Sequence, residues 1–454
     1  MTGFSFTLTY DVTCIGAQRE ERTLQPGTVP PSQPSVVLQR PPSASLVGGA
    51  PWAPTRADRI RDFLAAVALL ASLGLDWDAD TLALFRVDVA IVTGLSLLSL
   101  LLPAASRRGM FGQTWTPAKL RALKLICVAP YLAVVMVCLG WDISCRWTEW
   151  DYGGTGFGPA VWIGLAGAVL AGQPREADLF DVSGHDGFGV AGRQSRALLL
   201  VVGGLFAVMT VSAVVIDVVR FVENLDAVAG LRVSVLDPLV SAAAAVAWLI
   251  VVGRLILSAA TGKTGSSLSL SLLGWAAAGW ALMVSLPGVP YESVDSVTTG
   301  YLGIAVLGGI GAAALSPALP RRIAMTQQEY YSAPLGVVMA VSLLWVALSV
   351  AGLTLYSATS AVLAALVFFT LALAGATLVR DRMSSGPGDQ QKALFGFAIG
   401  LVITAIAVLV VMSVRVNWNL PAPLALWLVG FVVPAFIVWR EALAPSLARS
   451  GVIR

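Results

Sequence analysis

The chain has 454 residues, 57% of them hydrophobic and only 12% charged, with a formal net charge of +3 and a mean hydropathy of +0.80. Soluble domains lie nearer ~45–50% apolar and about 25% charged, so the pair of soluble domains that length alone would allow is excluded in favour of an all-α polytopic membrane protein. The small net charge gives no footing for nucleic acid, and one His beside four Cys without a CxxC leaves no zinc ligand set.

Residues 1–60 read as a cytoplasmic leader. Phe4, Phe6, Leu8 and Tyr10 alternate with small polar residues as one short strand would, with no partner strand in the sequence. From Gln25 to Pro54 the chain is rich in Pro, Ser and Gly and is expected to be disordered or polyproline-like. No apolar run with a small-residue cleavage site marks a secretory signal. Residues 61–440 read as a transmembrane helix bundle, and 441–454 as a short cytoplasmic tail.

The first apolar run, Phe63 to Leu75, is short and closes on Asp76-Trp77-Asp78-Ala79-Asp80; such a length suits a re-entrant segment as well as a span. Leu82 to Leu102 is long enough to cross, with Arg86 and Asp88 near one end. Arg121 to Asp142 is the template for the rest: Arg121 and Lys124 at one end, a bilayer thickness of apolar residues, then Trp141 as an interfacial anchor. Further spans are expected near 158–173, 197–216, 236–258, 267–287, 298–318, 334–355, 359–379, 393–414 and 423–439, about twelve in all. With both termini cytoplasmic, every Lys and Arg falls on the inner side except Arg86, Arg146, Arg220, Arg232 and Arg415. That bias orients a multi-pass protein in the plasma (inner) membrane. The outer loops are rich in Asp and Glu, a rim that is solvated or attracts cations.

Cys127 and Cys138 fall inside the third span and Cys145 just beyond it. A Cys138–Cys145 bridge requires a helix break at Gly140, because seven helical residues hold the Cα atoms ~10 Å apart.

Few residues are placed for chemistry. His185, the only histidine, sits in the inner loop Pro174–Arg196, which excludes a histidine relay. Asp88, Arg86 and Arg254 are the candidate substrate or ion pathway. Asp88 is either a functional carboxylate or a structural charge pinned near its helix end. Arg86 and Arg254 are its candidate pairing partners, although residues two apart on a helix do not face each other and Arg86 can snorkel outward and Arg254 inward. Pro130, Pro238 and Pro434 fall in or at the edges of spans, as kinks or binding segments do. Small residues recur every four positions at Gly164, Ala168 and Gly172, at Ala305, Gly309 and Ala313, and at Gly396 and Gly400. They serve internal helix packing or, alternatively, dimerisation. The loop Glu176–Gly189 carries Asp178, Asp181, His185 and Asp186, but not at EF-hand spacing, and reads as a linker. Asp217–Asp237 is compatible with a short interfacial helix, packing on the bundle's outer surface being the plainer reading. No P-loop, GxSxG or HExxH occurs, so neither an enzyme nor a bound metal or cofactor is expected.

The loop Ser106-Arg107-Arg108-Gly109-Met110 lacks the Asp-Arg signature of major facilitator carriers. A Pro-rich leader followed by Arg61-Asp62, an apolar run and Asp76-Trp77-Asp78 resembles uncharacterised polytopic membrane proteins of actinobacteria. The resemblance covers the first ~90 residues and implies location and architecture, with no activity to transfer. The functional expectation is a transporter or lipid/precursor flippase that does not rely on buried charged residues. The alternative is a non-catalytic membrane component of a cell-envelope or secretion assembly. The expected partners are the lipid bilayer and, in the second case, envelope or secretion membrane proteins.

Overall fold

The computed structural model describes residues 56–78, 82–111, 115–148, 157–175, 187–223, 236–284, 304–319 and 360–382, with a few isolated positions between 335 and 400. All belong to one unit, Pro51–Arg454. The leader up to residue 55, the loop 176–186 with His185, and the spans expected at 393–414 and 423–439 lie outside them, apart from Gly396, Phe397 and Gly400.

The elements are helical: α1 Arg56–Leu73, α2 Val87–Arg107, α3 Pro117–Thr148, α4 Pro159–Gly172, α5 Gly187–Glu223, α6 Leu236–Ala260, α7 Thr264–Val284, α8 Ile304–Ala314 and α9 Ser360–Arg382. Among the described residues the only extended pairing is an isolated antiparallel bridge, Asp76 to Leu82. Among the described residues three helices are long and apolar enough to cross a membrane: Val87–Ser106 in α2, Ala118–Cys145 in α3 and Gly189–Ile216 in α5. The protein is therefore all-helical and membrane-associated.

The organising element is α4. Its fourteen residues, all apolar and half of them Gly or Ala, are buried on nearly every side. A helix with no polar face belongs inside a bundle, and at ~1.5 Å per residue this one is ~21 Å long, too short for the hydrocarbon layer by itself. It packs against α1, α2, α3, α7 and α8, while α5 packs on α3, α6 and α8. One continuous apolar core joins them.

Two helices show why this happens. On α1 the residues turned inward are Asp58, Asp62, Ala65, Leu69 and Ser72, and on α3 they are Arg121, Lys124, Val128, Tyr131, Val135, Leu139 and Asp142. Both follow steps of three or four, one stripe of a helix surface. The apolar centre of each stripe drives burial and carries the charged residues at its ends into the protein with it.

Several boundaries differ from the sequence reading. The first run is a full helix, α1, because Arg56–Asp62 continues the same stripe backwards. α2 starts at Val87, not Leu82: residues 83–85 form a 3-10 turn and Arg86 is extended. α3 starts at Pro117, whose fixed φ suits a first helical position, with the Lys119 N–H donating to the Thr116 hydroxyl at 3.4 Å. It then runs unbroken through Pro130 and Gly140. Cys138 and Cys145 therefore stay apart, and both are free thiols, as is Cys127. The supposed interfacial helix after Asp217 is, up to Glu223, the continuation of α5.

Helices α7 and α8 approach backbone to backbone, where a Cβ on Gly274 would lie 2.6 Å from the Gly311 Cα, and the reverse. Gly311→Ala is expected to force the pair apart at about 1–3 kcal/mol, the usual cost of overpacking. Gly94→Ala, on an exposed stretch of α2 where a Cβ meets nothing within 4 Å, should leave stability unchanged or slightly raised. Thermal unfolding in detergent checks both; equal melting temperatures would show that the crossing is not tight.

Candidate functional site

Two polar groupings sit at the two ends of α4. At its start, Gly158 donates its N–H to the Trp77 carbonyl at 2.7 Å, and Ala160 donates to the Asp76 carbonyl at 3.1 Å. The loop after α1 is thereby seated on the helix end, satisfying N–H groups that have no partner within the helix. Gly158 is required there, since a Cβ would overlap the Asp76 carbonyl. With the loop in place, Trp77 is 1% exposed and its ring meets Tyr131 edge-on at 6.2 Å between centroids.

Arg86 lies beside this loop. Its guanidinium donates to Asp88 at 2.8 Å, reaches Asp78 at 3.5 Å and stands 5.7 Å from the centre of the Trp77 ring. Of the two pairing partners that the sequence offers Asp88, the structure shows Arg86, and the helical-spacing objection to that pair does not hold. Arg86 is the residue before the helix, in extended conformation, so helical spacing does not apply to it. Burial by itself works against its charge. The hydrogen bond to Asp88 and the negative groups around it more than offset that effect, and its pKa lies above the ordinary value. The guanidinium is permanently charged.

Trp77, Asp78 and Arg86 meet Val137, Cys138, Trp141 and Asp142 of α3, and Phe157, around a cavity of about 310 Å³. Asp142 is 2% exposed although it ends the apolar stretch. The third sequence candidate, Arg254, is elsewhere: exposed on α6 and not part of the cavity wall. The sequence reading named Trp141 as an anchor and Asp142 as a terminus. It missed their grouping with Trp77, Asp78 and Phe157, for which the only signal was the position of Asp142 on the inward stripe of α3.

At the other end of α4 a second grouping was missed. Arg121, Lys124, Gln173 and Arg175 are all buried; the sequence reading counted the three basic residues only for orientation and set Gln173 at the end of a span. Lys124 Nζ donates to the Gln173 carbonyl at 3.0 Å, Gln173 Nε2 donates to the Ala312 carbonyl, and Arg175 pairs with Asp62 and reaches the Leu100 carbonyl at 3.4 Å. Asp58 and Arg61 pair at 2.9 Å on α1. Between the two ends the interior carries hydroxyls and small groups: Ser72 and Tyr131 face Gly164, where a Cβ would overlap the Tyr131 hydroxyl. On α2, Thr93, Ser96 and Ser99 are all fully buried.

The small-residue tracks are distributed unevenly. Gly164 and Gly309 sit at close crossings, Gly309 against Leu165 and Val202, and Gly172 makes ordinary contact with Val128. Gly396 and Gly400 are exposed, and a Cβ at either would meet nothing within 4 Å. Among the described residues no group of His, Cys, Asp or Glu is placed to hold a metal ion.

An all-helical, membrane-associated bundle with charge held at the ends of its central helix is the class these features define. The chain belongs to the family described as Domain of unknown function (DUF7937), which matches residues 58–450. Comparison with curated proteins and with solved structures finds no match.

Asp62→Asn is expected to destabilise the protein by about 3–5 kcal/mol, since it leaves Arg175 charged and buried. Adding Arg175→Met should recover most of the loss. Unfolding of the two single variants and the double variant checks this; additive losses would show that the pair is not coupled.

Proposed function

We propose that the protein is a transporter or lipid/precursor flippase of the plasma (inner) membrane. In this reading it is a multi-pass bundle of about twelve spans with both termini cytoplasmic, and its pathway runs along small and hydroxyl-bearing surfaces. The observation that carries the reading is the interior of α1–α4. A cavity with charged and aromatic walls stands at one end, and Ser72, Thr93, Ser96, Ser99 and Tyr131 lie buried between it and the charged grouping at the other. Polar groups inside a membrane bundle are costly and mark pathways by default. The hydroxyls lower that cost by bonding to their own helices, as Ser96 does to the Val92 carbonyl at 2.9 Å. Thr93 and Tyr131 are different: among the described residues their buried hydroxyls have no hydrogen-bond partner, which suits a surface that meets a ligand in passing.

Reconstitution into liposomes tests this reading. Lipid with a fluorescent headgroup is expected to become accessible to an external quencher faster with protein than without. Thr93→Val, which keeps shape and removes the hydroxyl, should slow the transfer several-fold while the protein stays folded. No transfer of lipid or solute by folded protein, together with a stoichiometric membrane partner on purification from the source cells, would overturn it in favour of a non-catalytic assembly component.

A further inference from the structure

The two ends of α4 are closed in different ways. At the Gly158 end backbone meets backbone, and a cavity stands beside the joint. At the other end the closure is made by side chains converging on two residues past the last turn. Lys124 of α3 donates to the Gln173 carbonyl, and the Gln173 amide donates to the Ala312 carbonyl of α8. Arg175 holds Asp62 of α1 and the Leu100 carbonyl of α2. Four helices are thus tied to Gln173 and Arg175, both of them buried.

Three features mark this closure as one that releases. Its contacts are side-chain contacts, so they break without unfolding a helix, and a buried ion pair holds a bundle no better than apolar packing of the same volume. Among the described residues, Asp62 Oδ1 and Gln173 Oε1 are buried acceptors without a hydrogen bond. Such atoms penalise the closed state, and water entering on opening would satisfy them. Pro103 stands inside α2 just beyond Leu100 and has no N–H to offer the Ser99 carbonyl. The helix is therefore weakest next to the point that Arg175 holds.

We propose that Gln173 and Arg175 form a releasable clasp, the gate at this end of the pathway, held closed in this structure while the Arg86 end stands open to its cavity. Release of Arg175 from Asp62 lets α2 swing at Pro103 away from the end of α4, and the Arg86 end closes in exchange. A pathway open at both ends at once would leak, so the two ends alternate. The proposal rests on the transport reading for its meaning, but its two states are measured without any cargo.

Ser99, fully buried and next in the chain to Leu100, is changed to Cys to report on the clasp, and Cys138 on the cavity wall reports on the other end. The full chain in nanodiscs is labelled with a charged, membrane-impermeant maleimide, and the rate at each cysteine is followed by peptide mass spectrometry. Asp62→Asn combined with Arg175→Met removes the pair without leaving a buried charge alone. In that background labelling at Ser99→Cys is expected to be several-fold faster and at Cys138 several-fold slower, with Cys127 unchanged. Ser96→Cys, equally buried, is the second reporter should Ser99→Cys not fold. Gln173→Leu, which removes the bond to Ala312 without touching a charge, repeats the comparison should the paired change not fold. An unchanged rate at the reporter, or a faster rate there without slowing at Cys138, overturns the clasp as a gate. Reciprocal labelling without transfer of lipid or solute upholds the clasp and overturns the transport reading alone.

Discussion

A helix buried on all sides must have both of its ends satisfied by the protein around it, because neither lipid nor an apolar core supplies hydrogen bonds. In this bundle that helix is α4, and most of the polar architecture follows from it. Its first N–H groups take the carbonyls of Asp76 and Trp77, which forces the loop after α1 to fold inward over the helix. Beyond its last turn, the Gln173 carbonyl takes the Lys124 ammonium, a cation at the helix end where the backbone dipole favours one. Gln173 itself reaches across to Ala312.

Satisfying those ends brings ionisable groups into the interior and creates the two groupings. At the Lys124 end, Arg175 enters with Asp62, and removing one member of such a pair costs more than never having had it. At the Trp77 end the loop cannot close flush against α3, because Arg86 and Trp77 occupy its inner side and Asp142 stands opposite; the cavity is the space left between them. A structural requirement thus produces a concave, charged, aromatic surface. The interior between the ends needs only small and hydroxyl-bearing residues, since each serine can bond to its own helix.

The candidate residues were legible to different degrees, and the reasons are physical. Asp88 and Arg86 stand out in any hydropathy profile, since charge inside an apolar run is rare. Which partner Asp88 takes was not readable, because it depends on Arg86 being extended while Asp88 is helical, a boundary four or five residues inside the expected span. Arg121, Lys124 and Arg175 look like ordinary basic flanks when counted for orientation. Their burial follows from a three-and-four spacing that continues the apolar stripe, a signal present in the sequence but hidden when basic residues are only summed. Gly274 and Gly311 carry no periodic mark that sets them apart from other glycines, and only their meeting on different helices gives them a role.

The sequence by itself determined that the chain is helical and membrane-associated, because twenty apolar residues in a row have few other stable states in water or in membrane. It also determined which residues of α1 and α3 share one face, since helical spacing is a local property. Only the tertiary structure decided that α4 is the helix at the centre, that the loop at Asp76–Asp78 closes on its end, and that Trp77, Arg86, Cys138, Asp142 and Phe157 surround one cavity. Those residues come from four separate segments, and nothing local fixes their distances. Packing does.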